Sequence, residues 1–507
     1  MKKKKIIKED FGKNSRENGI TIIALVITII VLIILATITI NAVFGDNGLI
    51  KQAGYAKDLS SNSTESEYGE MNRLFDDYAN MLEDDEDIPI EEEPYLDESL
   101  AVPPEVSEGM IPVKWNGSSW EKTDIYDEEW YDYGNKEWAN VVLGDSTFNE
   151  EGILDESKPY SMLVWIPRYA YQITSQYHQS GNTGGNINIV FIDEDNKGRD
   201  GTVYSTSYPD YSAGNGMNDY VVHPAFNYGG IHLAGFWVGK FETSNTDGYG
   251  DNSSTSNDIN LIVQIKSGVK SWRGISVSNI FTVCTELNKS RNIYGLNAND
   301  NIVDPHMMKN SEWGAVAYLS QNVIYGKGEE IWINPNSNYI TGQAGENVNA
   351  NSTTTTYSYN TLNGQEASTS GNVTGVYDMS GGANEYTAAY INNGNQELKN
   401  YGLNLINADE KYREVYNMNT IDEANNNYNI TIPSNGFYGD AIFETSNNGI
   451  GSSGWYSDYT YYPYSNNPFF ARGGNVVGKS DAGIFDFDCL LWGAYTNGGF
   501  RIVIPVF

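Results

Sequence analysis

Residues 20–40 make up an unbroken apolar run of 21 residues that carries no charge, with only Thr21, Thr28, Thr37 and Thr39 to vary it. Wound as a helix, such a run rises about 30 Å, the thickness of a bilayer's hydrocarbon core. A helix on the core of a soluble domain is usually shorter and keeps a polar face. The run therefore predicts a membrane-spanning helix. Seven basic residues precede it, the first Lys2 and the last Arg16, and lysine and arginine beside a spanning helix stay on the cytoplasmic side. Everything after residue 40 is accordingly expected outside the cell, anchored to the membrane.

A cleaved secretory signal would have a shorter apolar core, about 7 to 15 residues, ending at a small-residue site; neither feature is present. The junction Asn18-Gly19-Ile20-Thr21 instead resembles the class III leader of type IV prepilins, a basic leader and a glycine followed directly by an apolar helix. The resemblance implies cleavage between Gly19 and Ile20 and, as partners, other pilin-like subunits. The family's usual glutamate at the fifth mature position is Ala24 here, which counts against a major polymerising subunit.

A chain of 507 residues exceeds one ordinary domain. Residues 1–19 are the basic leader and 20–40 the spanning helix. Residues 41–82 read as a helical stalk, because Met71, Leu74, Phe75, Tyr78 and Leu82 recur at intervals of three and four. Residues 83–108 form an acidic linker in which Pro89 and Pro94 interrupt any helix and like charges repel. A β-rich lead-in follows over 109–161, and then the main domain, 162–507. Within these, residues 162–173 (MLVWIPRYAYQI), 187–192, 235–242 and 499–507 are rich in β-branched and aromatic residues and read as strands. Helices are expected over 277–287 and 311–319, and a long polar loop over 344–372.

The net charge of −35 excludes nucleic acid as a partner, since phosphates must be met by clustered lysine and arginine. Two cysteines, Cys284 and Cys489, cannot staple a scaffold. Cys284 shares an apolar helical spacing with Ile280, Val283 and Leu287 and is expected buried and unbridged. The four histidines are scattered, with His223 and His306 expected in turns, and no metalloprotease, nucleophile-elbow or phosphate-loop motif occurs.

Residues 375–386 (GVYDMSGGANEY), with VWIPRYAY at 164–171, GFWVGKFETSN at 235–245, SEWGAVAYL at 311–319, ARGG at 471–474 and GGFRIVI at 498–504, resemble in order the formylglycine-generating-enzyme (sulfatase-modifying factor) family. The resemblance implies a variant of the C-type lectin fold, and hence an α+β protein in which a pilin-like transmembrane helix precedes a C-type-lectin-like domain. It implies that the first domain strand, near Val164, pairs with the last, near Ile502. It also implies a structural calcium held by the side chains of Asp378 and Glu385 and the carbonyls of Gly381 and Ala383, hard oxygens of the kind calcium takes. The alternative for these residues is a turn capped by Asp378, with Glu385 in a structural hydrogen bond. The family's copper oxidase chemistry needs paired cysteines after the RGG element, whereas Cys489 stands alone here. No copper and no enzyme activity are expected, and a metal-dependent oxidase is the third reading.

Residues 469–498 lack the alternation of a core strand. Between RGG and the terminal GFR stand Asn475, Val476, Val477, Asp486, Asp488, Cys489, Leu490, Leu491, Trp492, Tyr495 and Thr496. The stretch resembles the variable region of retroelement-diversified proteins, and these residues are the expected ligand contacts. Physically this is a paratope: mixed polar and aromatic side chains on a rigid frame. An adhesin-like surface protein that binds an extracellular protein or glycan is thus the leading expectation, and a structural minor pilin the alternative.

Overall fold

The computed structural model describes residues 94–144, 147–246, 255–429, 437–490 and 494–507. The Gly19–Ile20 junction, the apolar run, the stalk and the first part of the acidic linker lie outside the described residues, as do Leu491 and Trp492. Strands dominate what is described: 25 of them against four α-helices, the longest of 12 residues. No helix among the described residues is long and apolar enough to cross a membrane. The expected α+β, C-type-lectin-like fold led by a pilin-like helix is therefore corrected to a predominantly β fold. The physical reason is that short β-branched and aromatic runs, each ended by a Gly, Asn or Pro turn, leave little room for helical turns.

One seven-stranded sheet runs His306–Met307, Ile502–Ile504, Gly235–Gly239, Ser161–Pro167, Asn140–Leu143, Met110–Trp115, Trp120–Lys122 in spatial order, every pair antiparallel. The lead-in residues 109–161 thus share a sheet with the main domain rather than preceding it. Ser161–Pro167 and Gly235–Gly239 are buried along their whole lengths, as central strands covered on both faces must be. The expected pairing of the Val164 strand with the Ile502 strand is corrected. Val164 pairs with Val238, and Val238 with Val503, so Gly235–Gly239 lies between them.

The expected single strand over 162–173 is also two. Pro167 cannot donate to a ladder, and at Arg168 the chain leaves the sheet; Tyr169–Ile173 then pairs with Ile187–Phe191 and Val221–Val222. The buried Arg168 guanidinium holds the corner by donating to the carbonyls of Phe226 and Leu233 at 2.8 and 3.2 Å and to Asn196 Oδ1.

A second seven-stranded sheet orders Glu414–Tyr416, Asn384–Ile391, Phe469–Arg472, Phe487–Cys489, Tyr459–Tyr461 and Ile450–Ser452, with Gly498–Phe500 pairing parallel to Asn384–Ile391. The helix Val277–Thr285 is capped by Ser276 and buries Val277, Ile280, Val283 and Cys284. The helix Asn310–Gln321 is buried throughout. Gly314 is required there, because any Cβ would collide with the carbonyl of Gly439. His306, expected in a turn, is in a strand and contacts Glu312 at 2.8 Å. Residues 344–372, expected as a long polar loop, hold the short strand Tyr357–Ser358, paired with Gln343–Ala344, and a 3-10 turn at Gly364–Ala367, and Ser368, Thr369 and Ser370 are buried.

The acidic linker ends sooner than residue 108. The described residues 94–108 belong to one unit with the rest, and buried indoles fasten them: Trp165 Nε1 donates to the Val102 carbonyl at 3.1 Å and Trp237 Nε1 to the Glu105 carbonyl at 2.7 Å. Each of these tryptophans buries its ring and still satisfies its N–H.

Candidate functional site

Arg472 ends the strand Phe469–Arg472 with its guanidinium fully buried, donating to the carbonyls of Asp486, Asp440 and Ala441 at 2.8, 2.8 and 2.9 Å. That fixes where residue 486 lies. Gly473 and Gly474 then turn the chain at φ +82° and +65°, a region side chains other than glycine rarely adopt, and a Cβ on Gly474 would press on Ala482. The turn leads into Asn475, whose Oδ1 accepts the Val477 amide at 3.1 Å. On the neighbouring strand Phe487–Cys489, Phe487 and Cys489 face inwards while Asp488 is half-buried.

These elements enclose a depression of about 200 Å³ that is lined by Asn475, Asp481, Asp486 and Asp488 together with Asn384 and Tyr459. Asp486 is only 2 % exposed, yet its Oδ1 has no hydrogen-bond partner. A buried carboxylate oxygen left unpaired is costly. Burial, with Asp488 and Asp458 alongside, pushes the Asp486 carboxyl well above the usual carboxylate range. Burial also pushes Asp488 up to about 6, although one of its oxygens accepts the Cys489 amide at 2.7 Å. Asp458, behind them, accepts the Phe485 amide at 3.0 Å through Oδ2 and leaves Oδ1 unpaired.

Of the expected contacts, the structure thus brings Asn475, Asp486 and Asp488 together. Val477 stands at the surface, 62 % exposed, and Thr496 is exposed beside a half-buried Tyr495. Val476, Cys489 and Leu490 are corrected: all three are buried and unavailable to a ligand, because the short strand and the turn before it pack against the core. Asn384 and Tyr459 were not anticipated. Asn384 sits inside the GVYDMSGGANEY stretch, where attention falls on the neighbouring carboxylates. Tyr459 is one tyrosine in a tyrosine-rich run, and only the pairing of Thr460 with Phe487 brings it here.

The residues expected to hold calcium are arranged otherwise. Glu385 meets Arg501 in a fully buried two-pronged ion pair, at 3.0 Å from Nε and 2.5 Å from Nη2. Asp378, at φ +61°, accepts from the Gly342 amide and Asn334 Nδ2 at 2.9 Å and from the Glu242 amide at 3.4 Å. The Ala383 amide donates to the buried carboxylate of Glu242 at 2.7 Å, and the Gly381 amide to the Gly473 carbonyl at 2.9 Å. With a guanidinium already beside Glu385 and backbone donors on Asp378, these residues do not fit a calcium ion. They form a capped turn closed by an ion pair. Among the described residues no group of three or more His, Cys, Asp or Glu side chains is placed to hold a metal ion. Cys284 and Cys489 are both free and buried, and burial pushes both thiols far up.

No family model matches the chain, and no curated protein matches it.

Proposed function

We propose that the protein acts by binding, and that its contact face is the depression between the Gly473–Gly474 turn and the strand Phe487–Cys489, with Val477 and Thr496 on the exposed surface of the same stretch. The observation that carries this reading is Asp486, a lining residue of an open depression that is 2 % exposed and whose Oδ1 has no hydrogen-bond partner. The Gly474 backbone and the Arg472 charge favour the Asp486 carboxylate, yet an interior acid left with one unmet oxygen still weakens the fold that holds it, and such residues cluster where function requires them. The frame around it is rigid: sheet pairing on either side of residues 469–472 and the Arg472 hydrogen bonds. Adaptable polar groups on such a frame are how recognition surfaces are built. The same reading makes the protein adhesin-like, a receptor for an external molecule.

The test is binding of the full chain to arrays of glycans and peptides. Asn475→Ala and Val477→Arg should each remove the strongest signals while leaving the thermal unfolding midpoint unchanged. Undiminished array binding by both variants would contradict the proposal.

A further inference from the structure

We infer that this depression receives an organic cation, an ammonium or guanidinium group seated between the carboxylates of Asp486 and Asp488 beside Tyr459; the inference rests on the binding role proposed above. Three acids line the cavity, Asp481, Asp486 and Asp488, and no lysine, arginine or histidine is among its described lining residues. Arg472 touches this corner but directs its hydrogen bonds to three backbone carbonyls. The Asp486 carboxylate therefore keeps an acceptor, Oδ1, with nothing to accept from. What the site lacks is positive charge carrying N–H donors.

A bare metal ion answers that need poorly, since no cluster of three acids among the described residues is placed to coordinate one. A planar or tetrahedral nitrogen cation is larger. It can donate separately to Asp486 and Asp488, where charge-assisted hydrogen bonds are the strong kind, and it is attracted by an aromatic ring within about 6 Å. Size narrows the class further. At about 200 Å³ the cavity falls below the roughly 300 to 1,000 Å³ of sites that enclose a whole small molecule. It suits the head of one side chain. The cation is thus either the end of a lysine or arginine on a partner protein or a small free amine of the same chemistry.

The experiment is calorimetric titration of the full chain at pH 7 with arginine amide, lysine amide, the neutral isostere citrulline amide, and a short peptide with one arginine. The cationic amides should bind at least about tenfold more tightly than citrulline amide, and Asp486→Asn should weaken them by about tenfold or more. Asp488→Asn, at a half-buried position, should weaken them in the same direction and carries the test if the Asp486 variant fails to fold. Tighter binding of the peptide than of arginine amide would identify a protein side chain as the source; equal binding would identify the free cation. Citrulline amide binding as tightly as arginine amide would overturn the cation assignment while leaving the depression a ligand site. Failure of every probe to bind would overturn the assignment too, and the array result with Asn475→Ala then decides separately whether the depression binds anything.

Discussion

Two corners of the molecule bury carboxylates to the same depth and treat them in opposite ways. At the GVYDMSGGANEY turn, Glu385 has Arg501 and Asp378 has two backbone amides and an asparagine. Some 100 residues later in the chain, Asp486 has an acceptor without a donor. The first corner is finished by the protein itself and behaves as structure. The second is complete only when something else arrives. Burial of an acid alone therefore says little about function; the state of its hydrogen bonds separates a structural carboxylate from one held ready for a ligand.

The contrast is sharpest in stability. Arg501→Met would strand Glu385 without its counter-charge in the core, and removing one partner of a buried pair costs about 3 to 5 kcal/mol. Chemical denaturation should show a loss of that order. Asp486→Asn should instead leave stability unchanged or raise it by about 1 kcal/mol, since it removes an acid whose ionised form burial disfavours and whose Oδ1 the fold leaves unmet. Equal losses in the two variants would erase the distinction.

Dependence on pH should differ in sign between Glu312, which lies beside His306 and Lys309, and Asp488. Burial alone would push Glu312 up, but His306 and Lys309 beside it hold it down at about 2. A carboxyl lowered on folding contributes stability that is present above its unfolded value and lost as pH falls towards the folded one. The loss should therefore develop from about pH 4.5 down to about 2. Asp488 is raised to about 6, so the folded state holds the proton more tightly and stability should fall as pH rises from about 4 to 6. Denaturation midpoints of Asp488→Asn across that range should show a flatter decline than those of the parent protein. An identical slope would mean the Asp488 carboxyl is not perturbed by folding.

Much of this was readable in the chain, for reasons that differ element by element. The strands at 161–167 and 235–239 announce themselves through β-branched and aromatic runs, and the helices at 277–285 and 310–321 through their apolar spacing. Which strand lies next to which is not written in such runs. Val164 and Val503 both flank Val238, an arrangement that depends on contacts far apart in sequence. The break at Arg168 was hidden because a buried arginine satisfied by backbone carbonyls looks, in sequence, like a surface charge.

The same limit applies to the site. Asn475, Asp486 and Asp488 stand out as polar residues in a stretch that does not alternate, and the structure gathers them. Val476, Cys489 and Leu490 share that stretch but turn inwards, since neighbours in a tight turn or short strand point to opposite sides. Tyr459 and Asn384 arrive from other strands of the same sheet. For the acids at 378 and 385 the ligand-free alternative, a capped turn, is the arrangement present, and Arg501, the residue that makes it so, lies more than a hundred positions away.

The most direct measurement is proton exchange on binding. Calorimetry of arginine amide with the full chain at pH 6, in two buffers of different ionisation enthalpy, reports how many protons leave as the cation enters. Release of protons is expected, because a cation lowers the affinity of Asp486 and Asp488 for theirs, and Asp488→Asn should reduce the release. Binding with no proton exchange, or an exchange that Asp488→Asn leaves untouched, would contradict the claim that these carboxylates await a positive charge.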